Sequence, residues 1–148
     1  MLNKTERKQL IEVWDVVWNR YQRVGWLGLS EAEQNFYDAW HFVSEVNHGG
    51  FEYYYFNSGG YHALYAAEAL RSIRAPKHAA ILQEANVKFP DGLPPEDIDE
   101  RQDRMNAFGD DIYTLWAKQD EKVYSITEKF EELVWDYYRN NVENINSS

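Results

Sequence analysis

The sequence predicts an all-α fold, a single multi-helix domain of about seven or eight helices over residues 1–148. Three observations carry that expectation. Apolar residues recur at three- and four-residue spacing along most of the chain, the period of a helix buried on one side. Residues that start and stop helices punctuate this pattern. No stretch shows the strict apolar–polar alternation of a half-buried strand.

The first helix is marked by Leu10, Val13, Trp14, Val17, Tyr21 and Val24, with Asn3 or Thr5 to cap its start and Gly25 to end it. Trp26 to Leu29 form a connector. Ser30 with Glu33 makes a capping box for the second helix, whose inner face is Phe36, Tyr37, Trp40 and Val43. Asn47-His48-Gly49-Gly50 should stop it. A short aromatic helix, Phe51 to Phe56, follows, and Asn57-Ser58-Gly59-Gly60 should stop that in turn, because Asn and Gly enter the left-handed conformation at helix C-termini. At least two of the four glycines are therefore expected at positive φ. Tyr61 to Ile73 reads as a fourth helix, and Pro76 fits the first turn of a fifth that runs through Ala79, Leu82 and Ala85 towards Phe89. Residues 89–95, dense in Pro and Gly, read as an ordered loop. An acidic helix from Glu96 to about Phe108 comes next, then a helix around Ile112 to Val123. A last helix starts near Thr127, with Ser125 and Glu128 as capping candidates and Phe130, Leu133, Val134, Tyr137 and Tyr138 on its inner face. Trp14, Trp40, Tyr54 and Phe56 are expected to share one core, and Asn47, Asn57 or helix ends to partner the tyrosine hydroxyls.

Composition excludes several chemistries. There is no cysteine, hence no disulfide framework, thiolate metal site or cysteine nucleophile. No apolar run approaches the roughly 20 residues of a membrane span. The N-terminus enters an amphipathic pattern without a signal-peptide core, so a cytoplasmic protein with no membrane partner is expected. His41, His48, His62 and His78 lack the spacing of a metal motif, although His62 and Glu45 could meet in space. Neither glycine pair is followed by the Lys-Ser/Thr of a phosphate loop. No cofactor, metal or catalytic residue is expected. The aromatic helix lacks the cationic groove of a single-strand binder, so direct nucleic-acid binding is not expected either.

The charge is informative through its distribution. Residues 1–90 carry nine Lys/Arg and ten Asp/Glu, while residues 91–148 carry six and fifteen, a net of −1 against −9. A field of that sign repels nucleic acid and attracts basic surfaces. The candidate partner-binding face comprises Asp97, Asp99, Glu100, Asp103, Asp110, Asp111, Glu128, Glu131 and Glu132. On a helix, the pair Asp99 and Asp103 stand about 5–6 Å apart at Cβ. Phosphates along one DNA strand rise by about 3.4 Å each, a comparable scale. Arg101, Arg104, Lys118, Lys122 and Lys129 interrupt the run.

Three elements agree in order and spacing with a known family. They are Asn47-His48-Gly49-Gly50-Phe51 leading to Phe56-Asn57-Ser58, the segment Ala69-Leu70 with Ile73 and Ala75, and Phe89-Pro90-Asp91-Gly92 with Pro94-Pro95 and Arg101. Leu29-Ser30, Glu33 and Tyr37 fit upstream. Over residues 29–113 the chain resembles the DNA-mimic-protein-like domain family. It departs at Tyr53, where Gln is usual, at Arg74, where Gly is usual, and in the extra His48. The resemblance implies an all-helical fold. The family's characterised member is an acidic dimer that occupies the DNA-binding surface of a helix-turn-helix transcription factor.

The expected function is thus a non-enzymatic acidic interaction protein, a DNA mimic that blocks a DNA-binding protein. Its partner would be a helix-turn-helix transcription factor or a nuclease toxin, and a homodimer is compatible with this reading. The alternative is a small-ligand binder or enzyme with a pocket near Glu45, Asn47, Asn57 and neighbouring tyrosines.

Overall fold

The structure, a computed structural model, describes residues 1–57, 61–126 and 129–145. Among these it contains eight α-helices and no strand: α1 (Lys4–Val24), α2 (Glu31–Phe56), α3 (Ala63–Ser72), α4 (Pro76–Asn86), α5 (Ile98–Asn106), α6 (Asp110–Ser125), α7 (Phe130–Asn140) and α8 (Val142–Ile145). Short 3-10 turns at Trp26–Gly28 and Pro90–Gly92 join α1 to α2 and α4 to α5.

Local chemistry sets most boundaries. Asn3 and Glu6 form a reciprocal capping box at α1, with the Glu6 N–H donating to Asn3 at 2.8 Å and the Asn3 N–H to Glu6 at 3.0 Å. Gly25, at φ 75°, ends that helix. Ser30 and Glu33 repeat the box at α2. Pro76 opens α4 where its missing N–H is not needed.

The expected second helix and aromatic helix are two arms of α2, separated by a kink at Gly50 (φ 78°, ψ −175°). The interruption is a single residue, because Gly49 does not take positive φ. Gly59 and Gly60 lie outside the described residues, so the expectation of two left-handed glycines in this stretch is met at Gly50 and goes no further.

Several boundaries differ from the sequence reading. Helix α5 begins at Ile98 because Asp97 is its N-cap, accepting the Glu100 N–H at 2.9 Å, and the preceding prolines keep the chain extended. Ser125 does not cap α7. Its hydroxyl donates back to the Lys122 carbonyl at the end of α6, and Thr127 and Glu128 lie outside the described residues. Helix α3 starts at Ala63, after a 3-10 turn at Tyr61 and His62.

The core is aromatic. Where α1 crosses the first arm of α2, Trp14 stacks on Tyr37 at 5.3 Å and Tyr21 on Tyr37 at 4.6 Å. Behind the second arm, Tyr55 packs against Phe89 at 5.0 Å and Trp116 at 4.8 Å. Tyr54 is buried as expected, while Trp14 and Trp40 are half-buried against the core. Phe56 is 41% exposed, contrary to expectation. A helix of six aromatic-rich residues cannot turn every side inward, and here Phe51, Tyr54 and Tyr55 take the buried side. The Tyr55 hydroxyl bonds to neither Asn47 nor Asn57. It donates to the buried Asn86 at 2.6 Å, and the Asn86 amide donates on to the Ala63 carbonyl at 3.2 Å.

Candidate functional site

The motif Asn47-His48-Gly49-Gly50-Phe51 is a backbone device braced by α6. At a helix break the next N–H groups lose their intrahelical acceptors. Asp120 supplies one, accepting the Phe51 N–H at 2.7 Å. On the other side of the break the Tyr124 hydroxyl donates to the Val46 carbonyl at 3.0 Å. Both glycines have a steric reason. A Cβ on Gly50 would lie 2.4 Å from a carboxylate oxygen of Asp120, and one on Gly49 would lie 2.6 Å from the Tyr53 Cβ. Burial raises the Asp120 carboxyl, and the Phe51 N–H opposes that shift.

Arg101, read in the sequence as an interruption of the acidic run, is fully buried. Its guanidinium donates to four carbonyls: Tyr55 at 2.6 Å, Asn57 at 2.9 Å, Pro95 at 2.8 Å and Glu96 at 3.1 Å. It thus satisfies the open carbonyl end of the aromatic arm and clamps the Pro-Pro loop to it.

The nine candidate carboxylates fall into sets with different surroundings. Asp97 is spent on capping α5, and Glu100 lies 3.7 Å from Arg104. Asp99 and Asp103 on α5, and Asp110 and Asp111 in the first turn of α6, are exposed. None of these four has an ion pair among the described residues. Glu131 meets Arg7 of α1 at 3.1 Å, and Glu132 pairs with the N-terminal ammonium group. Glu128 lies outside the described residues.

Among the described residues, two members of the alternative pocket, Asn47 and Asn57, line different hollows. Asn47 lines a cavity of about 200 Å³ among α1, α2 and α7, with Leu10, Trp40 and Phe130. Asn57 lines a separate hollow with Tyr53 and Phe56. Glu45 does not meet His62 but pairs with His41, one helical turn earlier, at 3.0 Å. Among the described residues no group of three His, Asp or Glu could hold a metal ion.

A buried polar cluster between α1, α2 and α3 was not apparent in the sequence. The Tyr21 hydroxyl and His62 Nε2 lie 3.2 Å apart, and the Trp26 indole donates to Asp38 at 3.0 Å. Burial lowers His62 to about 4, helped by the neighbouring His41 and Arg101. Burial raises the Asp38 carboxyl, against the indole hydrogen bond. The signal for Asp38 was its place on the inward side of α2, one residue after Tyr37 and two before Trp40. A carboxylate there needs a donor from another element.

Among the described residues no helix is long and apolar enough to cross a membrane. Comparison with curated proteins and with solved structures found no match. Comparison with protein families found one, described as DMP19-like protein, over residues 27–141. That span runs from the connector before α2 to the end of α7 and includes the braced kink, the Arg101 clamp and most of the carboxylates, so the chain belongs to the DMP19-like protein family.

Proposed function

We propose that this chain is a non-enzymatic acidic interaction protein that occupies the basic DNA-binding surface of another protein, acting as a DNA mimic. The observation that carries this reading is the set of exposed carboxylates Asp99, Asp103, Asp110 and Asp111, which have no cationic partner among the described residues. At i and i+4, Asp99 and Asp103 repel one another, while Asp99, Asp110 and Asp111 gain from their places in the first turns of α5 and α6. The net −9 of residues 91–148 supports long-range attraction to a basic surface. Glu100, Glu131 and Glu132 are partly neutralised by the chain's own cations, so the weight falls on the four aspartates. Membership of the DMP19-like protein family supports the reading, because the resemblance read from the sequence implies an acidic mimic.

The test is capture of bound proteins at low salt, followed by competition. With the captured partner in hand, its affinity for this chain should fall steeply as salt rises, because exposed charges are screened beyond about 10 Å at 0.1 M. Duplex DNA and this chain should exclude one another on it. Replacing Asp99, Glu100 and Asp103 by Asn, Gln and Asn should slow association and weaken binding with the helical spectrum intact. Simultaneous binding of DNA and this chain would overturn mimicry, and salt-independent affinity would overturn the electrostatic basis. A captured nuclease whose cleavage is blocked would place the chain among toxin-neutralising proteins.

A further inference from the structure

A hollow of about 510 Å³ opens between the end of α1, the following turn and the start of α3, walled by Tyr21, Trp26, Tyr61, His62 and Tyr65, with Glu96 among its lining residues. Its composition is unusual for an exposed surface. Tyr61 is 49% and Tyr65 40% exposed, and Leu27 beside them is 88% exposed. Large rings left open to water around a concavity mark a binding site more often than a packing accident.

The walls are held from behind. Trp26 is fixed at both ends, its indole N–H on Asp38 at 3.0 Å and its carbonyl accepting from the Gln34 amide at 3.0 Å. Tyr65 lies against Trp26 with ring centroids 4.7 Å apart. The Tyr21 hydroxyl and His62 hold each other. The backbone carbonyl of Glu96 is pinned by Arg101. The rings of Tyr21, Trp26 and Tyr65 therefore do not have to be ordered by a ligand, which removes part of the entropic opposition to binding.

The electrostatics select the sign of the occupant. Aromatic faces are negative, and the acidic residue Glu96 is among the lining residues. Among the described residues no Lys or Arg lines the hollow, and its histidine is neutral at pH 7 because burial disfavours the imidazolium.

We propose that this hollow is a binding site for an organic cation with an apolar body, an alkylated ammonium or a guanidinium, held over the rings of Tyr21, Tyr61, Tyr65 and Trp26 and balanced by Glu96. The cation could be a free amine or a side chain presented by a protein. Asp99, Asp103, Asp110 and Asp111 do not line the hollow, so the aspartate replacements leave it unchanged, and this site and the acidic-face reading fail separately.

The experiment is a nuclear magnetic resonance titration of the full chain with three probes: choline, its neutral isostere 3,3-dimethylbutanol, and an N-acetylated, C-amidated Gly-Arg-Gly peptide. Choline or the peptide should shift the Trp26 indole and Tyr65 ring signals saturably, leaving the buried Trp116 indole unmoved. The neutral isostere should bind about tenfold more weakly than choline. Glu96→Gln and Tyr65→Ala should each weaken the cation several-fold with the helical spectrum intact. Saturation by choline alone identifies a free amine, and saturation by the peptide alone identifies a presented side chain. No saturation by either cation, or equal binding of the neutral isostere, overturns the site.

Discussion

The carboxylate of Asp120 accepts the Phe51 N–H at 2.7 Å, across 69 positions of sequence, and it occupies the space that a Cβ on Gly50 would need. One residue thus caps the second arm of α2 and explains why the kink is a glycine. Asp120→Ala should destabilise the fold by about 1–2 kcal/mol, the usual loss for a helix cap. Gly50→Ala should lose more than about 1 kcal/mol, since it adds positive-φ strain to the overlap. The overlap disappears when Asp120 is truncated, so the double variant should lose less than the sum of the singles. Urea denaturation of the four proteins measures that coupling, and strict additivity would show that the two residues act separately.

Arg74 should be a site where the chain gains from substitution. It sits at φ 68° at the end of α3. The Ala75 N–H bonds to the Leu70 carbonyl at 2.8 Å and the Arg74 N–H to the Arg71 carbonyl at 3.0 Å, the paired bonds of a Schellman ending with Arg74 in the left-handed position. A side chain there is strained by roughly 1 kcal/mol relative to glycine. Arg74→Gly should raise the thermal midpoint and add about 0.5–1 kcal/mol, part of the relief being offset by the greater freedom of an unfolded glycine. A lower midpoint would mean that the guanidinium makes a stabilising contact that outweighs the strain.

Arg101→Lys should not be conservative. An ammonium has three donors on one centre and cannot reach four carbonyls spread over Tyr55, Asn57, Pro95 and Glu96. The expected loss is about 3 kcal/mol or more, because buried carbonyls are left without donors. Hydrogen exchange should localise the damage to the aromatic arm and the loop before α5. Full protection of those amides in the variant would show that lysine restores the clamp.

Acid should weaken the fold through His62. Its folded value is about 4, against about 6.5 for a free imidazole. Between the two, the unfolded chain holds a proton that the folded chain does not, so stability falls as pH drops through that window. The penalty is absent at pH 7 and complete near pH 4, up to about 3 kcal/mol. Asp38 acts with the opposite sign. Its raised carboxyl keeps its proton longer in the folded chain, so its contribution falls as pH rises above the ordinary carboxylate range. Comparing wild type with His62→Gln at pH 7 and pH 5 isolates the first effect. The variant should lose less on acidification, and equal losses would exclude His62 as the source.

The helical periodicity, the capping box at Ser30 and Glu33, the stop at Gly25 and the break at Gly49-Gly50 were all legible in the sequence. Each is a local event, decided by residues within about one helical turn of one another. The departure at Arg74 was legible too, although only φ gave it a meaning. Local rules placed Phe56 wrongly, since a short run of aromatic residues does not say which of them will face the neighbouring helices.

What the chain left to its tertiary structure is the fate of its charges. In sequence, Arg101, Asp120 and Asp99 are alike members of one acidic, helical stretch. In the fold, Arg101 reaches back 46 positions to the Tyr55 carbonyl, Asp120 reaches back 69 to the Phe51 N–H, and Asp99 stays in water. Composition fixes how many carboxylates there are. Only packing decides which ones are consumed, because a buried donor or acceptor must be satisfied by whatever element lies against it, and that element is chosen by the whole core and not by neighbours in sequence.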